Sequence, residues 1–267
     1  MQIPKKLQYA AFMALASWSS VGLASGSGAP IISYYEILLR SFGIHDHHQV
    51  EELKPVIGAV LTFVLTLVLG LLYKSSVDRA GNDAAPVGKV SVRGVVEMVL
   101  EFVHDIGLSV IGQDRVKPFL PVLFGIFLFI LVSNLTGLIP GLTPSTDSIN
   151  TNLVLGLVTF FVFNAAGLKE HGVFGYLKTF AGPLLVMAPI IFLIEGIGMM
   201  ARPVSLALRL YGNIFGDHLV LSVFTDLTKL VLPSFLMFFG LLVACLQSFV
   251  FTLLSSIYIS MAISHDH

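Results

Sequence analysis

Two apolar stretches near the C-terminus, from Pro183 to about His218 and from about Val231 to Ile263, contain no strong stop signal. At 1.5 Å per residue each makes a helix of about 50 Å, whereas a perpendicular crossing of a hydrocarbon core takes only about 20 residues. Membrane tilts seldom exceed about 40°. The reading is therefore two steeply inclined helices, bent where Pro189 and Pro203 remove a backbone donor. Such an antiparallel pair suits a tangential fit against another membrane body. The composition agrees: 55% of the 267 residues are hydrophobic and 12% charged, with mean hydropathy +0.89, which places the chain among polytopic membrane proteins. A formal net charge of −1 argues against a nucleic-acid partner.

The first of these stretches breaks the rules of an apolar span. EGIGMMARPVSLALRLYGNIFGDH sets Glu195, Arg202 and Arg209 at intervals of seven, followed by Asn213, Asp217 and His218. A step of seven drifts only about 20° on a helix, so the three charges share a stripe, and Asn213 stands one turn past Arg209. An arginine at bilayer depth costs roughly 2.5 to 3.5 kcal/mol on insertion scales and about 10 or more on an isolated helix in simulation. It cannot escape by losing its proton. Such a residue faces a partner or water, and the expectation is function. On the second stretch Gln247, Ser248, Thr252, Ser255 and Ser256 include a polar stripe at steps of four and three, with Gln247 expected beside Arg209.

The rest of the chain fills in an all-α fold of about five transmembrane helices plus one amphipathic helix. Lys5 and Lys6, an apolar run from Tyr9 to Ala16 and the small residues of Gly22-Leu23-Ala24 mark residues 1–24 as a signal peptide cleaved after Ala24. Residues 25–55 read as an external polar segment, whose His45, Asp46, His47 and His48 are taken as a solvated cluster and not as a metal site. The membrane domain is 56–267, with spans at about 56–73, 119–138, 153–168, 183–218 and 231–263. Residues 74–94 read as a cytoplasmic loop. Between about 95 and 111, Glu97, Glu101, His104 and Asp105 recur at helical spacing, the pattern of an amphipathic helix with a solvated acidic face. The second and third spans form a hairpin through TPSTDSINTN, and Asn134 near its tip either bonds across helices or borders a water-filled vestibule. Cys245 reads as a packed thiol.

Basic residues set the orientation. Lys74, Arg79, Lys89, Arg93, Arg115, Lys117, Lys169 and Lys178 fall in the proposed inner loops, against Arg40, Lys54 and Lys229 outside, which by the positive-inside rule puts the C-terminus in the cytoplasm. A secondary transporter would show repeated halves, and no internal repeat is visible. An intramembrane protease would carry HExxH or GxSxG, and neither is present. A purely structural scaffold has no reason to keep the stripe charged.

The runs ARPVSLALRLYGNIFGDHLV and LQSFVFTLLSSIYISMA closely resemble subunit a of the F-type ATP synthases, of bacterial type, over most of the chain after about residue 118. The resemblance implies a proton-translocating stator subunit of a bacterial inner membrane, not an enzyme by itself and without cofactor or metal. Its partners would be a ring of c subunits carrying carboxylates, the peripheral stalk subunit b and the rest of the complex, with protons as cargo in a lipid setting. Residue by residue, Arg209 matches the essential arginine that faces the ring, Glu195 the inner half-channel, and Asn213 and Gln247 positions near the arginine and the outer half-channel. His218 falls where relatives carry glutamate or histidine. The partner position on the last helix is Gly240 here, while Asp217 stands where glycine is common, so the acid has moved from one helix to the other. Gly137 replaces an acid seen in some relatives and receives no role. Arg202 is expected to snorkel or to pair with a ring or lipid group.

Overall fold

The structure, a computed structural model, describes residues 34, 35, 39, 47–80, 91–139, 141–181, 188–227 and 231–264. The expected signal peptide, His45, Asp46 and most of the external segment lie outside the described residues. Among those described the chain is all helical: α1 His47–Ala80, α2 Val92–Ile111, α3 Leu120–Gly137, a short 3-10 turn Ser145–Asp147, α4 Ile149–Ala181, α5 Ala188–Leu227 and α6 Val231–Ile263. Five of these hold stretches long and apolar enough to cross a membrane: Leu53–Asp78, Leu120–Gly137, Ile149–Val173, Ile190–Leu221 and Phe235–Ile263.

Several elements outrun their sequence boundaries. α1 begins at His47 and runs through Pro55, because a helix continues past the apolar core wherever water can satisfy its ends. α5 is 40 residues long, about 60 Å, and passes His218 because the LVLSVF run beyond it contains neither glycine nor proline. Pro189 causes no bend, since as the second residue of α5 its missing donor belongs to the helix start. Pro203 lies inside α5 and is buried against α4. Gly156 makes that contact possible: a Cβ there would meet the Pro203 carbonyl oxygen at 2.5 Å. The α4–α5 contact is the most extensive in the bundle.

α2 starts from Ser91, whose side chain accepts from the Gly94 amide, and ends at Gly112, φ +95°. It presents Val96, Val103, Ile106 and Ile111 to the core. Its acidic face is only partly solvated. Glu101 and Asp105 are exposed, but Glu97 is drawn in by Arg93, Nε to Oε1 2.6 Å, and Arg93 itself is 7% exposed. The sequence assigned Arg93 to a loop; the structure makes it part of the helix, where the i,i+4 spacing supplies its partner. Beyond the C-terminal end of α2 the Arg115 guanidinium donates to the Ile263 carbonyl at 3.0 Å and pairs with Glu170 at 3.4 Å, closing the C-terminus of α6 with a cation where its dipole is negative.

The core forms two apolar clusters. One gathers Val103, Leu123, Phe127, Phe163 and Ile259; the other gathers Ile126, Ile130, Leu206, Leu210 and Phe251. The polar stripe of α6 lies within this interior: Gln247, Ser248, Thr252, Ser255 and Ser256 are all buried. The three serines return their hydroxyls to carbonyls one turn earlier and so pack helix on helix without an unmet donor, whereas the Thr252 hydroxyl has no such partner. Cys245 is exposed, because it sits on the outer side of α6, away from that stripe.

Candidate functional site

The predicted site residues lie along α5, and the rise of the helix spaces them. Successive heptad charges stand about 10 Å apart along the axis, so Glu195 is about 21 Å from Arg209 on one side and Asp217 about 12 Å on the other. No ion pair joins Glu195, Arg202 and Arg209, since that spacing exceeds any direct contact. Arg209 is exposed and makes no hydrogen bond or ion pair among the described residues. Around it the helix surface is low. Ser205 and Gly212 are exposed, and Cβ atoms added at Gly198, Gly212 and Gly216 would meet open space. These positions follow one another at steps of seven, seven and four and leave a low stripe of small residues beside the guanidinium.

Gln247 does not sit on Arg209 as expected. It accepts from Asn213 instead, Nδ2 to Oε1 2.6 Å, while Arg209, one turn earlier on α5, stays exposed. Asn213 and Gln247 form one wall of a cavity of about 220 Å³ whose lining also includes Asn134, Asp217, Leu138 and Gly240. Gln247 is 4% exposed and its Nε2 has no partner. This amide borders a space whose lining is otherwise mostly apolar. Asp217 is half-buried on this cavity. The Cβ of a larger residue at Gly240 would come within 3.2 Å of the Leu138 side-chain end, so the two exchanged positions share one space. His218 follows Asp217 on α5, and its side chain lies outside the described residues.

The hairpin tip sets Asn134 against its own connecting turn, and not against another long helix, at the edge of the cavity. Asn134 lines the cavity and accepts from Thr146 Oγ1 at 2.7 Å. Ser133 meets Ser145 at 2.6 Å, and Asn152 Nδ2 donates to the Thr146 carbonyl at 2.7 Å. Sequence reading missed Ser133, Ser145, Thr146 and Asn152, which look like ordinary loop residues until the tip folds inward. Gly137 takes no acid for a steric reason: a Cβ there would come within 2.8 Å of the Pro144 ring.

At the other end of α5 the surroundings are aromatic. Arg202 lies over the Tyr258 and Phe163 rings, 5.5 and 5.8 Å from their centroids, so its charge is met inside the chain by ring faces and not by snorkelling to lipid. Glu195 is half-buried. Among the described residues no group of three histidine, cysteine or acidic side chains could hold a metal.

The ATP synthase A chain family matches residues 56–260. The chain belongs to that family. It is 39% identical over 224 residues to ATP synthase subunit a of Bdellovibrio bacteriovorus, an alignment covering 81% of this chain and 97% of the relative. It is 40% identical over 207 residues to ATP synthase subunit a of Geobacter sp. strain M21, covering 78% and 88%, and 42% identical over 203 residues to ATP synthase subunit a 1 of Pelobacter propionicus, covering 76% and 86%. As a family member the chain is a multi-pass membrane subunit of an ATP synthase and not a complete enzyme.

Proposed function

We propose that this chain is the proton-translocating stator of its ATP synthase, offering two aqueous half-channels to carboxylates on a ring of c subunits. The observation that carries the proposal is Arg209: a permanent cation, exposed on a low stretch of α5, between a cavity bordered by three amides and Asp217 at one end and the half-buried Glu195 carboxylate at the other. Glu195 belongs to the inner route. Asn213, Gln247, Asp217 and His218 belong to the outer one. Orientation follows the basic residues, with the N-terminus outside, the C-terminus in the cytoplasm, and the chain in a bacterial inner membrane beside the ring and the peripheral stalk subunit b.

The chemistry follows from charge at low dielectric. A ring carboxyl must be neutral where it faces lipid and loses its proton where it meets the guanidinium, since a cation within about 4 to 6 Å lowers a carboxyl pKa by typically 1 to 3 units. Their attraction is on the order of 4 kcal/mol at an effective dielectric of 20, which holds the ionised state without locking rotation. The same cation repels protons that would pass directly between the half-channels. Each proton crossing 100 mV releases about 2.3 kcal/mol, which becomes torque only when that shortcut is closed. In a map of the assembled complex the Arg209 guanidinium should face the ring carboxylates. Finding it turned to lipid, with no subunit opposite, would end the proposal.

A further inference from the structure

The hairpin tip makes one polar contact that its own backbone does not need. Ser133 Oγ accepts from the Thr146 amide at 3.3 Å and Asn152 Nδ2 donates to the Thr146 carbonyl at 2.7 Å, so side chains meet both backbone groups of Thr146. The Thr146 hydroxyl goes elsewhere. It donates to Asn134 Oδ1 at 2.7 Å, a length that falls at the O–H···O mode of about 2.7 to 2.8 Å and short of the N–H···O mode of about 2.9 to 3.0 Å. The amide is thereby held with its oxygen toward the turn. Thr146 is 0% exposed and Asn134 7%. Valine and leucine would fill these two places without the desolvation cost of a buried hydroxyl and amide, and the bond between them serves no backbone group.

Asn134 also lines the cavity between α3, α5 and α6. With Oδ1 tied to Thr146, the group left to it is the Nδ2 donor. Gln247, on the same lining, is in the same state: its Oε1 is tied to Asn213 at 2.6 Å, and its Nε2 is buried without a partner. Two amides from different helices thus spend their oxygens on neighbours and keep their nitrogens. Asp217 borders the same, otherwise mostly apolar space with oxygens that accept.

We infer that Thr146 is a positioning residue of the outer route: by holding the Asn134 oxygen in the turn, its hydroxyl points the Asn134 nitrogen into the cavity as a donor. The inference rests on the reading of this cavity as part of that route. Without the hydroxyl the amide is free to rotate, and its oxygen then competes with Asp217 for an arriving hydronium.

The test uses inverted membrane vesicles carrying the whole ATP synthase, with ATP-driven pumping normalised to ATP hydrolysis. Thr146→Val, which keeps the size of the side chain, should lower proton flux about fivefold, the scale of one lost hydrogen bond, and Thr146→Ser should restore it. Asn134→Leu should lower flux as well, and T146V added to N134L should lower it no further, because a residue that acts only through another has no effect once that other is gone. A merely structural tie would instead lower flux in both backgrounds, and such additivity overturns the inference. If T146V does not assemble, Thr146→Ala takes its place; failure of both to assemble, with T146S assembled, makes the hydroxyl a structural tie and overturns it too. D217G is measured in parallel. Wild-type flux in T146V or N134L beside an altered D217G overturns this inference alone. Wild-type flux in D217G removes the cavity from the route and the inference with it.

Discussion

Around Asp217, α5 borders a mostly apolar cavity into which three amides are set, whereas around Arg202 the same helix is packed against rings. At the first end Asn134, Asn213 and Gln247 line an open volume and leave one buried donor without a protein partner. At the second, Arg202 is covered by Phe163 and Tyr258, and a tyrosine hydroxyl is tied to Asn164. One end leaves an open space, and the other ties polar groups together along a packed surface. On the proposed function, the difference teaches that two access routes on one helix need not share a design. Glycine at Gly240 and a folded hairpin tip border the space on one side, while on the other Tyr176 closes onto Gly167.

The midpoint between the ends gives the largest expected effect. Arg209→Lys should abolish coupled pumping in inverted vesicles while the complex still assembles, because a buried lysine can shed its proton and guanidinium cannot. Normal ATP-driven acidification in that variant would break the picture of two routes divided by a fixed charge. Next comes the cavity. Asp217→Gly should slow proton transport about tenfold, the scale of roughly 1.4 kcal/mol in a barrier, and adding Gly240→His should restore part of it, since both positions share one space and only the mobile end of Leu138 must yield. Equal flux in all three proteins would take Asp217 off the route.

Smaller effects sharpen the contrast. Gln247→Leu leaves the Asn213 amide without its acceptor and should cost about 1 kcal/mol, read as a several-fold fall in flux that depends on the outer and not the inner pH. Arg202→Met keeps the length of the side chain but loses the contacts with the two rings. It should lower the thermal stability of the purified complex by the equivalent of about 1 kcal/mol, with proton flux nearly unchanged. Should Arg202→Met instead impair transport as much as Asp217→Gly, the ring-packed end would be carrying ions through Arg202 itself.

Much of this was legible in the chain. Apolar length and the lack of stop signals define five spans and an amphipathic helix, and charges placed at bilayer depth single out α5, because lipid penalises both unpaired backbone and unpaired charge whatever the neighbours are. The stripe of Glu195, Arg202 and Arg209 follows from helical periodicity alone. Which way each member of the stripe faces does not. Gln247 lies within helical reach of the α5 polar positions on any reading, yet only the packing of α6 against α3 and α4 turns it toward Asn213 and leaves Arg209 outward. Arg202 finds Phe163 and Tyr258 across sequence distances that no periodicity encodes. Tyr176 and Asn164 carry no motif, and their meeting depends on one left-handed glycine. Local rules thus determined the elements and the costly residues. Tertiary structure decided their partners, because a side chain on a long helix can face any of several neighbours, and only close packing such as that at Gly156 and Gly167 selects one.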